Sequence, residues 1–360
     1  MALAADAPAP QRLAAALALG ADAFTDATVP AAERDAVFAR GWQFVAHASQ
    51  LAGAGDHAVT EVAGVPLLLV RGTDGVLRAL HNVCRHRAGP LAICDGRAAK
   101  ALHCRYHGWT YALDGRLRSA PEMDGADAFS VDTIRLPEAS VAIWRGLVFA
   151  ALEPQQPRDF ESLVEGIAPR LAAAGIDAHG FEAFEHSGRV SYDIACNWKL
   201  YVDNYLEGYH LPRVHPALNR MLDYRQYRTE TASWHALQSS PIRESHGKAP
   251  GQEALYCWLW PNTMLNVLPD RLQTNRVLPL AVDRCRVVFD YFHAPRVPQS
   301  ARDADRTFSD EVQREDIGIC EAVQRGVACG SYDAGRLNPL RESGLFHFHE
   351  LWRAAFRVQV

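Results

Sequence analysis

The sequence has no long hydrophobic run, since no stretch approaches the roughly 20 apolar residues that a membrane-spanning helix needs. It has no excess of charge of one sign either. The net charge of −5 over 360 residues gives no electrostatic reason to expect binding to nucleic acid or to an anionic membrane. No Gly-x-Gly-x-x-Gly loop follows a predicted strand, so we expect NAD(P)H and flavin to bind a separate protein. Composition and charge therefore indicate an ordinary soluble globular protein.

The cysteines lack the dense, regular spacing of a disulfide framework. This pattern favours reduced thiols in a cytoplasmic protein, with some of them serving as metal ligands. The Ala/Leu-rich run 13–19 carries only Arg12 as a nearby base and follows acidic Asp6. It therefore favours a short surface helix or a disordered leader over a secretory signal. The eight cysteines are Cys84, Cys94, Cys104, Cys196, Cys257, Cys285, Cys320 and Cys329.

The length and the pattern of predicted elements indicate two domains of α+β class. Short strands between turn signals over residues 41–155 predict a small antiparallel β-domain, and Pro154 and Pro157 mark its end. Residues 156–360 combine helices with long strands, and residues 1–40 form an N-terminal segment that we expect to pack on this second domain. The predicted strands are 42–46, 66–71, 148–152, 189–194, 255–260, 276–280 and 286–294, and the predicted helices are 160–174, 307–328 and 345–358.

The strongest local motif is Cys84-x-His86, then seventeen residues, then Cys104-x-x-His107. Two cysteines and two histidines in paired loops could hold a zinc ion or a Rieske two-iron cluster. Zinc motifs usually pair two cysteines, so a single residue between Cys and His is unusual for zinc. A Rieske cluster has both thiolates on one iron and both imidazoles on the other, and each loop supplies one of each. The motif therefore favours the cluster over zinc.

A second group of polar residues predicts a catalytic metal site. Asp203, Glu207 and His210 are spaced i, i+4 and i+7, so they would share one face of a helix. His215 would be out of phase in an unbroken helix, and we expect Pro212 to break the helix so that the two imidazoles converge. This spacing differs from that of the zinc proteases.

Two histidines and one carboxylate form the facial triad of non-haem ferrous oxygenases, which leaves coordination positions open. Asp316 is the candidate carboxylate because it lies within an apolar stripe of the predicted helix 307–328, where an unpaired carboxylate is costly. A capping or salt-bridged Asp is the alternative. Glu315 is expected to be solvated. The residues of the stripe are Val312, Ile319, Cys320, Val323 and Val327.

Both motifs resemble those of a known family. The loops around Cys84 and Cys104 look like the Rieske domain of ring-hydroxylating and N-demethylating oxygenases. Respiratory Rieske proteins carry an extra disulfide beside the ligands, whereas this sequence has Gly89 at the corresponding position, which favours the oxygenase or ferredoxin type. Residues 203–210 and 315–326 are similar to oxygenases of the choline, glycine betaine, carnitine and stachydrine type.

The resemblance implies a fold and a set of cofactors. The fold would be an antiparallel β Rieske domain followed by a catalytic domain with an antiparallel sheet flanked by helices (helix-grip, START-like). The mononuclear Fe(II) would be held by His210, His215 and Asp316. The ligands of the [2Fe-2S] Rieske cluster would be Cys84, His86, Cys104 and His107.

The resemblance also implies a head-to-tail homotrimer, in which the cluster of one subunit serves the iron of its neighbour. Glu207 would bridge His210 to His107 or His86 of the partner subunit, and Asp203 would support the junction or form an unrelated hydrogen bond. Single electrons would come from a separate reductase or ferredoxin. O2 would be the co-substrate.

The expected function is hydroxylation of a C–H bond, by oxidative N-demethylation or hydroxylation of a betaine-like quaternary ammonium compound. An aromatic ring-hydroxylating oxygenase is the alternative within the same class, and a plain Rieske electron carrier is the alternative outside it. Aromatic residues would hold a quaternary ammonium by cation–π attraction, although core packing is an equal explanation of their pattern. The candidates are Tyr256, Trp258 and Trp260 on one face of a strand, with Trp234, Phe289 and Tyr291 beside them.

Overall fold

A computed structural model describes residues 12–152, 158–176, 178–243 and 252–357. The chain divides into two compact units: Phe38–Phe160 forms one, and the described residues on either side of it form the other. The boundary expected at Pro154 and Pro157 lies outside the described residues. Within the described part of the chain, every helix is too short or too polar to cross a membrane.

The first unit is built on antiparallel strands. Six of them form one sheet in the order β1-β9-β8-β4-β3-β2, and three short ones form a second sheet, β5-β6-β7. The predicted strands 42–46, 66–71 and 148–152 correspond to β1, β3 and β9, each shifted by about one residue. The strands are β1 (Gln43–His47), β2 (His57–Val62), β3 (Val65–Arg71), β4 (Leu77–His81), β5 (Leu102–His103), β6 (Thr110–Tyr111), β7 (Leu117–Ser119), β8 (Glu138–Trp144) and β9 (Leu147–Ala151).

Strand β3 joins two hydrophobic cores because its side chains alternate between the faces of the sheet. Leu67 and Leu69 belong to the core under β1, β2 and β9. Leu68 and Val70 belong to the core that also contains both cysteines of the first motif. Burial of this strand on both faces therefore fixes the metal-binding loops against the main sheet.

The second unit contains one seven-stranded antiparallel sheet in the order β10-β16-β15-β14-β13-β12-β11. Its register pairs residues directly across five strands, which places polar and aromatic side chains in one row on one face. The strands are β10 (Glu185–Ile194), β11 (Arg228–Ala232), β12 (His235–Pro241), β13 (Glu253–Leu259), β14 (Thr263–Leu268), β15 (Arg271–Ala281) and β16 (Arg284–His293). The row across β12, β13, β14, β15 and β16 is Gln238, Tyr256, Asn266, Gln273 and Tyr291.

The helices of the chain differ in length from those predicted. The predicted helix 160–174 is divided at Gly166, which has a left-handed φ of +79°. The predicted helix 307–328 begins two turns earlier, at Gln299. The helices are α1 (Asp22–Thr25), α2 (Val29–Glu33), α3 (Phe160–Val164), α4 (Ile167–Ala173), α5 (Trp198–Tyr205), α6 (Leu211–Val214), α7 (Pro216–Met221), α8 (Gln299–Ala328) and α9 (Ser343–Arg357), and the shorter turns are Leu13–Ala15, Arg34–Phe38, Ala48–Leu51, Val131–Thr133, Ala178–Ala183 and Tyr224–Gln226.

The expected surface helix over residues 13–19 is limited to the single turn Leu13–Ala15. Ala16 and Leu19 are buried. The next residue after Ala16, Leu17, forms a backbone bridge with Arg336. The run packs into the second unit because its apolar side chains find partners there.

A buried ion pair fixes α2 to α5. Lys199 Nζ lies 2.6 Å from Glu33 Oε1, and both side chains are essentially inaccessible. The indole N–H groups of Trp198 and Trp352 donate to the same carboxylate at 2.8 and 2.7 Å. Burial lowers the pKa of Lys199 below its ordinary value. A pair enclosed in this way is costly to break, so it holds the start of α5, whose last turns carry Asp203 and Asn204.

Candidate functional site

The two loops of the first motif have the same backbone geometry. In residues 84–89 and 104–109, the amide of the first residue donates to the carbonyl of the sixth at 2.9 Å. The amide of the fifth residue donates back to the carbonyl of the first at 3.0 and 2.9 Å. The fifth residue has positive φ in both loops, +58° at Ala88 and +74° at Gly108. The loops therefore present their first and third or fourth side chains in equivalent ways.

The four predicted cluster ligands divide into a buried pair of cysteines and an exposed pair of histidines. Cys84 and Cys104 are buried, whereas His86 and His107 are exposed with ring centroids 4.6 Å apart. The hydroxyl of Tyr111 lies 3.3 Å from Cys84 Sγ. Partial loss of hydration, followed by the positive charges of His86 and Arg87, lowers the pKa of His107, which favours the neutral imidazole that a metal requires. Thiolates inside and imidazoles outside fit a Rieske cluster.

Gly89 lies where the two loops approach each other most closely. A Cβ atom built there would lie 2.9 Å from Cys104 Sγ and 3.3 Å from Tyr106 Cβ. On the other side the His86 ring stacks on Trp109, with centroids 4.9 Å apart and planes 7° apart. The position therefore has no space for the additional cysteine of respiratory Rieske proteins without movement of the thiolate.

The segment that leads into the second motif is not the continuous helix expected from its spacing. Helix α5 ends at Tyr205, so Glu207 and His210 lie beyond it rather than on its face. Pro212 is the second residue of α6 and starts that helix, because the missing N–H of proline costs nothing in the first turn. Gly208 permits the turn between the helices, since a Cβ there would lie 2.7 Å from the Tyr227 ring.

The structure brings the three predicted iron ligands together. One donor atom each from His210, His215 and Asp316 lies within 4.8 Å of the other two. His215 Nε2 is 3.0 Å and His210 Nε2 is 3.9 Å from Asp316 Oδ1. The side-chain amide of Asn204 donates to the same oxygen at 2.6 Å. Two imidazoles and one carboxylate at these distances fit a single non-haem iron with open coordination positions.

A second carboxylate holds each histidine at its other ring nitrogen. Glu207 Oε1 lies 2.5 Å from His210 Nδ1, and Glu315 Oε2 lies 2.7 Å from His215 Nδ1. The expectation that Glu315 is solvated was wrong, because α8 turns this side chain towards His215. Burial opposes protonation of His215, but Asp316 and Glu315 together raise its pKa above the ordinary value. Carboxylates on Nδ1 orient both Nε2 atoms towards the metal position.

Asp203 forms a hydrogen bond rather than contacting the iron ligands. Its Oδ1 lies 2.9 Å from His349 Nε2. With Glu207, His210 and Glu342 it lines a depression of about 630 Å³ on the second unit. Burial raises the pKa of Glu342, and the charges of Glu207 and Asp203 raise it further. Part of the expected apolar stripe of α8 lines this depression too, because Ile319 and Val323 are exposed rather than buried.

A cavity of about 340 Å³ extends from the triad between the sheet and α8. Its volume is within the range of small-molecule sites. Burial raises the pKa of three of its phenols, Tyr205, Tyr227 and Tyr256, so they stay neutral. Its aromatic lining is Tyr201, Tyr205, Tyr227, Tyr256, Phe289 and Phe308, and its polar lining away from the triad and Glu207 is Asn204, Asn266, Arg271, Gln273, Asn275, Asp305, Ser309 and Gln313.

The aromatic residues predicted to contact substrate divide into two groups. Tyr256 and Phe289 line the cavity. Trp258 and Trp260 pack instead on Phe348, with ring centroids 5.4 and 6.1 Å apart, and are core residues. Trp234 lies 6.5 Å from Trp260, and the Tyr291 hydroxyl donates to Ser309 at 3.0 Å. These four residues are not among the described residues that line the cavity, which favours the alternative of core packing for them.

Sequence reasoning missed most of the polar lining of the cavity. Asn266 and Gln273 lie in register with Tyr256, on strands whose pairing the sequence did not reveal. Tyr201 and Tyr205 lie on α5, beside the residues that were singled out. The tyrosines and the side-chain amides of α5 and of the strands are visible in the sequence. Only the strand register shows which of them share a cavity.

Two family comparisons cover most of the chain. Residues 41–138 match the Rieske [2Fe-2S] domain, and residues 181–357 match the catalytic domain of the ring-hydroxylating alpha subunit. Fold and site thus define a Rieske-type non-haem iron oxygenase, with a [2Fe-2S] cluster and a mononuclear iron. The predicted fold class is confirmed, and the plain electron carrier is wrong because the chain has the catalytic domain.

Individual relatives make the assignment narrower. The chain is 35% identical to choline monooxygenase of Arabidopsis thaliana over 91% of its own length and 80% of the relative. It is 30% identical to the carnitine monooxygenase oxygenase subunit of Escherichia coli strain K12, over 93% and 92%. The chain belongs to this family of Rieske monooxygenase oxygenase subunits, as predicted.

Solved structures show the same relationship. The quaternary ammonium Rieske monooxygenase CntA in complex with L-carnitine matches with a TM-score of 0.85 at 28% identity, over 96% of this chain and 97% of that one. Naphthalene 1,2-dioxygenase from Rhodococcus sp. matches with a TM-score of 0.79 at 18% identity, over 95% of each chain. The second likeness shows the fold alone.

Proposed function

We propose that this protein hydroxylates a C–H bond next to the nitrogen of a quaternary ammonium compound. O2 would be the co-substrate. One observation carries the proposal. The triad of His210, His215 and Asp316 opens into a cavity whose walls include neutral aromatic rings. The relatives are named for substrates of the same class, choline and carnitine.

The aromatic walls suit a cation that has no N–H group to donate. A quaternary ammonium is bound through the negative faces of aromatic rings, and the attraction is strongest where water is excluded. The hydroxyls of Tyr201, Tyr205 and Tyr227 are already engaged by side-chain amide oxygens, at 2.7, 2.8 and 3.1 Å. These bonds fix the rings in place and leave their faces as the surface presented to substrate.

The residues of the triad would hold iron, and the bound iron would supply the activation of O2. Glu207 and Glu315 would orient the imidazoles through Nδ1. The balanced reaction consumes O2, two electrons and two protons, converts the C–H bond to C–OH and releases one water. When the hydroxylated carbon is bonded to nitrogen, the product collapses to an aldehyde and an amine. An N-methyl group would give formaldehyde.

The proposal includes a head-to-tail homotrimer in which a cluster serves the iron of a neighbouring subunit. Two charged surfaces support it. Among the described residues, the depression beside His210 is lined by three carboxylates, Asp203, Glu207 and Glu342, and by one arginine, Arg336. The exposed histidines of the cluster loops are surrounded by exposed arginines, which are Arg85, Arg87 and Arg105. Opposite charges of this kind favour docking, with Glu207 as the bridge to the cluster.

Electrons would come from a separate reductase that binds NAD(P)H. The sequence has no dinucleotide-binding loop, and the named relative is an oxygenase subunit. We place the protein in the cytoplasm, where the cysteines that bind no metal would stay reduced.

A single turnover without a reductase tests the proposed function. The purified protein is reduced chemically, freed of reductant and mixed with O2 in the presence of choline, L-carnitine, γ-butyrobetaine, glycine betaine or an aromatic acid. Mass spectrometry should show an amine and an aldehyde from one of the ammonium compounds. A His210→Ala variant that keeps the colour of the cluster is the control and should form no product. Hydroxylation of the aromatic acid alone would overturn the proposal.

A further inference from the structure

The substrate cavity contains one ion pair that the iron site does not use. Arg271 Nη1 donates to Asp305 Oδ1, and the two side chains keep 14% and 15% of their surface exposed. Arg271 begins β15 and Asp305 lies in α8, so the pair joins the sheet to the helix that covers it. Both residues line the cavity. The simplest explanation is that this pair has a structural role and only fixes the helix to the sheet.

The hydrogen-bonding capacity of Arg271 is only partly used. A guanidinium has five N–H donors. Besides the bond to Asp305, Nη2 of Arg271 approaches Gln273 Oε1 at 3.5 Å, the limit of a hydrogen bond. No described residue accepts from Nε. A purely structural pair would be expected to satisfy these donors, because an unmet buried donor is costly.

The amide oxygens that line the cavity near Arg271 each accept a hydrogen bond from another side chain. Gln273 Oε1 already accepts from the Ser309 hydroxyl at 3.0 Å. The oxygens of Asn275 and Asn266 are engaged by Gln273 Nε2 and by the Tyr205 hydroxyl, both at 2.8 Å. The described side chains therefore leave Nε of Arg271 without an acceptor and give Nη2 only a long one. A carboxylate in the cavity could accept from these N–H groups.

Asp305 does not cancel the attraction of Arg271 for an anion. Burial tends to raise the pKa of Asp305, but Arg271 and His293 lower it below the ordinary value. The pair is therefore ionised. A guanidinium that binds one carboxylate on Nη1 can bind a second on its remaining N–H groups, and such charge-assisted bonds are stronger than neutral ones.

We propose that Arg271 binds the carboxylate of the substrate, so that the enzyme prefers a betaine-type zwitterion over a choline-like cation without a carboxylate. The inference rests on the proposed function. It adds that the substrate carries a carboxylate as well as a quaternary ammonium group. The ammonium end would lie on the aromatic walls and the anionic end on Arg271, which would be the specificity-determining residue.

Equilibrium binding to the metal-loaded protein tests this directly, without turnover. Calorimetry under anaerobic conditions compares γ-butyrobetaine with its methyl ester, which keeps the ammonium and the chain but lacks the negative charge. The protein should bind γ-butyrobetaine about 10- to 100-fold more tightly than the ester, as expected for hydrogen bonds to a charged group. Equal affinities would overturn the inference.

Three variants separate the carboxylate-binding role from a structural one. Arg271→Gln should abolish the preference for γ-butyrobetaine while leaving the affinity for the ester within about twofold. Arg271→Gln combined with Asp305→Asn removes the charge of both partners, so it should show the same result even if the single variant folds poorly. Asp305→Asn alone should keep the preference. Weaker binding of both compounds by Asp305→Asn would show instead that Asp305 is the counterion of the ammonium, which overturns the role of Arg271.

The outcomes also separate this inference from the proposed function. If choline and the ester bind and are oxidised while γ-butyrobetaine is not, the inference fails and the proposed function stands. If no ammonium compound binds and an aromatic acid is hydroxylated, both fail.

Discussion

The two metal sites of this chain are built in different ways. Two short loops with identical backbone hydrogen bonds hold the cluster ligands, and each loop supplies a cysteine and a histidine. The predicted iron ligands come from the two ends of α6 and the middle of α8, and Asp316 follows His215 by 101 positions in the sequence. The first site is therefore determined by local sequence. The second depends on how the sheet and α8 pack.

The sites also differ in access to solvent. The imidazoles of His86 and His107 are exposed, which suits a group that exchanges electrons with a partner. His215 has only 1% of its side chain exposed, and the triad lines the cavity between the sheet and α8. Partial burial strengthens electrostatic interactions with a bound cation. The difference indicates that the cluster exchanges electrons with a partner and that the triad handles the substrate.

The largest expected effect comes from removing one ligand from each metal site in turn. Each variant should lose its own metal group and keep the other. Cys104→Ala should remove the cluster and its visible absorption but keep the mononuclear iron, since the two sites share no ligand. His215→Ala should remove the mononuclear iron and keep the absorption of the cluster. Both variants should form no product. Iron analysis and electron paramagnetic resonance measure the outcome.

Cys94→Ala is the matched control for this pair of variants, because Cys94 is an exposed thiol outside both loops. It should keep both metals and full activity. If either ligand variant lost both metal sites while staying folded, the independence of the sites would be wrong.

The next effect concerns the carboxylate proposed to link the sites. Glu207→Gln keeps the shape of the side chain and removes its charge beside His210 Nδ1. We expect product formation in a single turnover to fall about 100-fold, with both metals still present. The rate at which the reduced cluster is reoxidised by O2 with substrate present should fall in parallel. Recovery of activity in excess Fe(II) would show that Glu207 only orients the ligand.

Glu315→Gln is the companion variant, because Glu315 contacts the other histidine in the same way. It should weaken iron binding about 10-fold, since the orienting partner of His215 is lost. Excess Fe(II) should restore its activity, which distinguishes it from Glu207→Gln. Activity that stayed low at full iron occupancy would place Glu315 in the electron path as well.

The contrast between the sites explains what could be predicted from the sequence. The candidate cluster ligands and the two candidate iron histidines could be selected from residue types and spacing, whereas Asp316 was selected from its position in an apolar stripe. The helix bearing Asp203 was predicted to continue, and its early end at Tyr205 depends on the close approach of Gly208 to Tyr227, which is a tertiary contact. Glu315 was misjudged for the same reason, since a quarter-turn on α8 separates solvent from His215.

The substrate cavity was the least predictable part. Trp258 and Tyr256 do share a face of β13, but α9 covers the end with Trp258 and leaves the end with Tyr256 open. Alternation along one strand cannot show which part of a face another element covers. The contribution of Arg271 likewise depends on the pairing of β14 with β15 and on the position of α8.

The smallest expected effect tests the equivalence of the two cluster loops. Ala88 has φ +58° where the matching residue, Gly108, has φ +74°. A left-handed conformation costs a non-glycine residue roughly 1–2 kcal/mol, and the greater freedom of unfolded glycine offsets about half of that. Ala88→Gly should therefore raise the free energy of unfolding by about 0.5–1 kcal/mol, seen as a higher temperature for loss of cluster absorption. Gly108→Ala should lower it by a similar amount, and equal midpoints for all three proteins would show that the backbone of the loops is not under strain.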